Sequence, residues 1–354
     1  MKSTAKKKLF INNMITLGMV VAAWIIMEVL MGTGHVSSLL KGLLVPFCIY
    51  VIMAVSLNLT VGILGELSLG HAGFMCVGAF SSAFATKLLQ NVIPNQIILF
   101  ITVLIIGTAA AAFFGFLIGI PVLRLRGDYL AIVTLAFGEI IKNVINVLYI
   151  AKDTDGFHFA ISNGNAIKLS DEGEWLINGA KGIAKIPHLS SFTAGVIMIL
   201  ICLFIVYHLV NSRSGRAIMS TRDNRIAAES VGIDVTKFKL LAFTISAALA
   251  GVAGVLYAHN LSMLKVSGFD CNMSILILVY VVLGGIGNLR GSIIATVILY
   301  ALPELLRGFA NYRMLIYAIV LIIMMLFNWA PAARDWRARM VEKFKGKKEK
   351  KEVA

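Results

Sequence analysis

Charge is scarce in this chain. Asp, Glu, Lys and Arg make up 14% of its 354 residues, against about 25% in soluble domains. Only four cysteines occur (Cys48, Cys76, Cys202 and Cys271), none at C-x-x-C spacing. Three lie inside apolar runs, where small buried residues are expected rather than metal or redox sites. Neither G-x-x-x-x-G-K-[ST] nor H-E-x-x-H occurs, and the six histidines are dispersed. No nucleophile–base pair is recognisable, so the sequence offers no catalytic constellation and no metal site. If this chain moves something with ATP, another chain must bind the ATP.

What is present is apolar length. Hydrophobic residues are 59% of the chain and mean hydropathy is +0.87. Apolar segments run at roughly 10–31, 39–61, 67–88, 97–123, 129–150, 191–210, 238–259, 273–288, 291–305 and 312–330, each near the length that crosses a bilayer. The expectation is an all-α polytopic membrane protein of about ten helices, or eight or nine if some are re-entrant. The first run is too long for a signal-peptide core and no A-x-A site follows it, so it reads as a retained helix.

The net charge of +14 lies at helix flanks, which argues against nucleic acid and for a lipid bilayer. The basic stretches are the N-tail (1–9), the Arg124/Arg126 turn, the 212–239 loop and the C-tail (331–354). Placing all of them in the cytoplasm needs an even number of spans, which ten satisfies, with both termini inside. The permease region is then 10–330. Residues 151–190 form the largest outside loop, and a polar cytoplasmic loop spans 212–237.

Two Gly-rich breaks, "GILGELSLGHAG" and "VVLGGIGNLRGS", interrupt apolar regions and are candidates for marking two related halves. In the first, Glu66 and His71 are ionisable groups at membrane depth, beside Gly70. Either the break lines a translocation path, or it packs tightly with a His–Glu contact. Gly284 and Gly285 of the second break are candidates on the same grounds. Glu139, Asn143 and Asn146 stand at i, i+4, i+7 on an apolar helix, about 15 Å in for Glu139 at 1.5 Å per residue. That stripe lines a path, or Glu139 pairs internally with Lys142. Glu304 and Arg307 form an i, i+3 pair suited to a structural role.

The stretch "RAIMSTRDNRIAAESVGID" (216–234) is too polar to span. It reads as a helix of about four turns, ended by Gly232 as C-cap and followed by Asp234 as N-cap. Arg216, Arg222, Asp223, Arg225 and Glu229 are polar; Ile218, Met219, Ile226, Ala227 and Val231 give an apolar side. It lies flat on the membrane or docks into a partner. Its small residues suit docking.

Four stretches carry a resemblance: "NLTVGILGELSLGHAGFMCVGAF" (58–80), "LRLRGDYLAIVTLAFGEI" (123–140), "SGRAIMSTRDNRIAAESVGIDVTKFKLLAFTISAALAGVAGVLYA" (214–258) and "SILILVYVVLGGIGNLRGSIIA" (274–295). The chain resembles, from about 39 to 330, the permease subunits of branched-chain amino acid ABC importers, of the LivM type. The resemblance implies a bacterial cell-membrane protein working with a second, similar permease, two cytoplasmic ATPase subunits and an extracytoplasmic solute-binding protein. No cofactor is implied on this chain, since ATP and Mg sit on the ATPases. It also implies that Ile226, Ala227, Ala228 and Gly232, with Arg216, Arg222 and Asp223, make the ATPase-docking segment. The family's signature there is E-A-A-x-x-x-G; this chain has Ile226 in place of Glu, so Arg222 or Asp223 would supply any salt bridge. Two further departures are Thr154-Asp155-Gly156, where the family often has Thr-Gly-Gly, and "LSMLKVSGFD" (261–270), which lacks the family's Pro. Related urea permeases share much of the pattern. The rival readings are a secondary transporter and, more remotely, a membrane-embedded enzyme or scaffold.

Overall fold

The computed structural model describes residues 2–34, 37–125, 127–153, 156–162, 164, 167, 173–306 and 312–329. Arg126, Thr154, Asp155, Arg307 and the basic tail 331–354 lie outside the described residues. The chain divides into two compact units, 1–296 and 297–354.

Each expected apolar segment becomes a helix. In order these are α1 (Lys2–Gly32), α2 (Ser38–Asn58), α3 (His71–Leu89), α4 (Gln96–Val122), α5 (Asp128–Asn146), α6 (Phe192–Asn211), α9 (Val235–Asn260), α10 (Cys271–Gly284), α11 (Leu289–Leu305) and α12 (Arg313–Trp329). Two short helices, α7 (Arg213–Asp223) and α8 (Arg225–Ser230), lie between α6 and α9. Among the described residues, seven helices are long and apolar enough to cross a membrane. The chain is a helical, polytopic membrane protein. Helices α11 and α12 have 17 residues each, at the short limit for a span, and α5 carries Asp128, Glu139 and Lys142.

The core of the first unit is α3, α4 and α9, flanked by α2. Helix α4 presents Gly107, Ala111 and Gly115, one per turn, to Val255, Gly251 and Ala247 of α9. In lipid there is no hydrophobic drive between helices, so close backbone approach at small residues supplies the packing. Leu99 and Val103 are also buried, and the opposite face of α4, including Ile98, Ile101, Ile105 and Phe116, is exposed. Helix α1 packs on α6, where Thr193 donates to Glu28 at 2.8 Å.

The segment expected to be helical to residue 150 stops at Asn146. Val147, Tyr149 and Ile150 are β-branched or aromatic, and from Leu148 the chain finds strand partners instead. Strands β1 (Leu148–Asp153), β2 (Gly156–Ile161) and β3 (Glu174–Asn178) form an antiparallel sheet in the order β2-β1-β3. A two-residue ladder joins β4 (Ile183–Ala184) to β5 (Met263–Leu264). Lys87 at the end of α3 ties the sheet down, reaching Glu174 at 2.5 Å and the Trp175 carbonyl at 3.3 Å.

Candidate functional site

Helix α2 does not pass directly into α3. Leu59–Leu64 forms a π-helical turn, a geometry that often marks functional positions. Gly65 then takes φ +80, and residues 65–70 run non-helically to His71. Across from this break stands Ser246, 11 residues into α9, or about 17 Å along a helix of about 39 Å. Helix α3 therefore begins at about half the depth of α9.

A buried polar layer closes the break. His71 is 1% exposed, and its Nε2 lies 3.1 Å from Ser56 Oγ and 3.0 Å from Ser246 Oγ. Thr60 donates to Ser246 Oγ at 2.7 Å, and Ser246 donates to the Ser56 carbonyl at 2.7 Å. Backbone donors at the broken end are bonded too: Leu69 N, just before α3, donates to Thr134 Oγ1 and Ala72 N, in its first turn, to Ser274 Oγ, both at 3.1 Å. Buried polar groups are costly unless bonded, and here each bond also joins separate helices.

The two Gly-rich breaks touch. Asn58 Oδ1 accepts from Gly287 N at 2.9 Å, and Asn58 Nδ2 donates to Ser292 Oγ at 2.6 Å. A side chain on Gly62 would strike Asn58 Oδ1 and lie 2.6 Å from Gly287 Cα, so only glycine permits the contact. Gly284 and Gly285 form the turn from α10 toward α11, Gly285 at φ +97.

The polar segment between α6 and α9 is stepped. Ser212 caps α7, accepting from Gly215 N at 3.0 Å. Asn224 breaks the helix and caps α8, accepting from Ala227 N at 3.1 Å. Helix α8 ends in a Schellman motif: Ile233 N donates to the Ala228 carbonyl and Gly232 N to the Glu229 carbonyl, with Gly232 at φ +81. Asp234 caps α9, accepting from Lys237 N at 3.0 Å. Ile218 is fully buried and Ala228 is 3% exposed, whereas Ile226 is 79% and Val231 73% exposed. Arg222 turns inward. Its Nη1 donates to the Gly62 carbonyl at 2.8 Å, its stem lies over Gly65, and its Nε and Nη2 meet Asp223 Oδ1.

The profile of the family described as branched-chain amino acid transport system / permease component matches residues 39–327. The chain belongs to that family. It is 35% identical over 345 residues to the high-affinity branched-chain amino acid transport system permease protein LivM of Escherichia coli K12, covering 93% of this chain and 75% of that one. The probable LivM of Methanocaldococcus jannaschii is 24% identical, over 78% of this chain and 83% of its own length. The LivH permease of Salmonella typhimurium is 22% identical, over 78% and 88%. No solved structure matches the chain.

The branched-chain permease family is a transport component and not an enzyme family. In this permease the residues singled out from sequence are distributed as follows. Glu66 does not meet His71; it pairs with Lys239 of α9, and both side chains are largely buried. The α5 stripe divides: Glu139 pairs with Lys142 at 2.5 Å, Asn146 is half-buried and Asn143 is exposed. Glu139, with Gly73, Gly138, Asp270 and Ser274, lines a cleft of about 10 Å³ beside the start of α3, room for one water. Arg216 is exposed and donates to the Asn211 carbonyl at 3.1 Å. The expected single helix over 216–232 is two, because Asn224 prefers capping to continuing. The apolar side expected of it is not one face, since Ile218 points inward while Ile226 and Val231 point out. Sequence reasoning missed Asn58, Thr60, Ser246, Lys239 and Ser292. Polar residues within the apolar runs of α2 and α9 were the available signal.

Proposed function

We propose that this chain is the membrane-spanning permease subunit of an ATP-binding-cassette importer for branched-chain amino acids. Family membership over 39–327 carries the reading. The exposed apolar corner of Ile226 on α8 and Val231 at its C-cap, between two spans, supports a docking surface there. We assign that surface, with Arg216, Ala227, Asp223 and Gly232, to the cytoplasmic ATPases, which carry ATP and Mg; buried Ala228 supports it from beneath. A second, LivH-like permease completes the membrane assembly, and an extracytoplasmic binding protein delivers leucine, isoleucine or valine. The chain sits in the bacterial cell membrane with ten helices, both termini and 212–237 in the cytoplasm, and the 151–190 sheet outside.

The solute path runs along the face where α3, α5 and α10 meet, past Gly70, Gly73, Glu139, Asn143 and Asn146, with Glu66, His71, Gly284 and Gly285 in the wall beneath. The cleft has room for only one water, which fits a closed state; alternating access would open it by rocking one helix group against another. The test is uptake of labelled leucine into vesicles holding the complete assembly. Uptake should require ATP and binding protein and should survive collapse of the proton gradient. Uptake that persists without ATP and stops with the gradient would make this a secondary transporter.

A further inference from the structure

The turn 62–66 is gripped by two cations that flank α8 in sequence. Arg222, three residues before Arg225 of α8, donates to the Gly62 carbonyl at 2.8 Å and lays its stem across Gly65. Lys239, in the second turn of α9, pairs with Glu66. Gly65 has no side chain, and any would collide with the Arg222 stem. Between the two arms hangs α8 with its exposed Ile226 and Val231. Above the turn, Thr60 and His71 meet at Ser246, where α3 begins.

All three guanidinium nitrogens of Arg222 donate within the chain. Nη1 is on Gly62, and Nε and Nη2 are both on Asp223 Oδ1, at 3.0 and 2.9 Å. Such a forked contact fixes direction as well as charge. Asp223 thus aims Arg222 at the break through one oxygen, and its other oxygen, on a side chain that is 67% exposed, stays open to a partner. Two-state elements respond as units when rigid contacts link them.

We propose that Arg222 is a positioning residue for transport: it passes displacement of α8 to the turn 62–66, and so to the mid-depth end of α3, without itself binding the ATPase. This rests on the reading of α8 as the ATPase-docking helix. The effect of losing a charged hydrogen bond to the break is a fall of about tenfold or more in coupling.

The experiment uses the whole importer, with its sister permease, ATPases and binding protein, in liposomes. ATPase subunits retained, ATP hydrolysed and leucine taken up are measured for wild type, R222A and R222K. R222A should retain the ATPases and hydrolyse ATP, while leucine uptake per ATP falls about tenfold or more. R222K keeps one donor for the Gly62 carbonyl and should recover part of that ratio. Loss of the ATPases from R222A would make Arg222 a docking residue and overturn the proposal. An unchanged uptake-to-ATP ratio would overturn it too. If R222A does not fold, R222K alone decides, since its ratio must fall while hydrolysis persists. A wild-type importer with no ATP-dependent uptake would instead defeat the permease reading itself.

Discussion

Truncating Ile226 to alanine tests the docking surface with little risk to the fold. The side chain is 79% exposed, so its removal leaves the isolated subunit's packing untouched, and exposed substitutions usually stay within about 0.5 kcal/mol. If the ATPase covers it, three carbons lose a buried environment. At about 0.8 kcal/mol per carbon, and with most of the side chain available to cover, the loss is about 2 kcal/mol. That weakens ATPase binding by roughly thirtyfold. Ile226→Asp goes further, because a carboxylate would have to be desolvated in an apolar pocket. The assay titrates purified ATPase subunit onto the permease pair in nanodiscs, with thermal unfolding followed in parallel. The expected result is weakened binding with an unchanged melting temperature. Wild-type affinity in Ile226→Asp would refute the docking argument outright.

Ala228→Arg is a different perturbation. Ala228 is 3% exposed beneath α8, so the variant should lower the melting temperature and detach α8 together, read by thermal scanning and pull-down. Gly62→Ala places a methyl on Asn58 and against Gly287; it should destabilise by about 1–3 kcal/mol and abolish uptake, while Gly232→Ala, in open space at φ +81, should cost only about 1 kcal/mol. Ser246→Ala strands the Thr60 hydroxyl and strips a bond from the Ser56 carbonyl, a loss of about 1–3 kcal/mol; a melting temperature equal to wild type would count against the polar layer. Lys87→Met removes the tie to Glu174 and Trp175 and should speed hydrogen exchange in β3 with α3 unaffected.

The helices were legible because apolar length is a local property: all ten segments reappear as helices with limits within about four residues, except that α1 starts at Lys2 rather than 10. Caps were legible for the same reason, since Asp234 and Gly232 act on their own neighbours. The site was less so. A π-turn and an α-turn have the same composition, so nothing in "LTVGIL" announces the change of period. Partnerships such as Glu66 with Lys239 or Asn58 with Gly287 join residues 173 and 229 positions apart, and a single sequence does not record them. The sheet was hidden by the apolar continuity of α5 into β1, although Phe157, Phe159 and Ile161 alternate along β2 as a strand requires.

Helix α4 has a further consequence. Its 27 uncharged residues extend about 40 Å, whereas the hydrocarbon core is about 30 Å thick. A helix exposed along most of its girth must meet that mismatch by leaning about 40° from the bilayer normal or by thickening the lipid around it. Because its small-residue stripe is locked to α9, a change of lean carries the centre of the bundle with it. Bilayer thickness then becomes a mechanical input to this permease, and acyl-chain length a variable that tunes its rate.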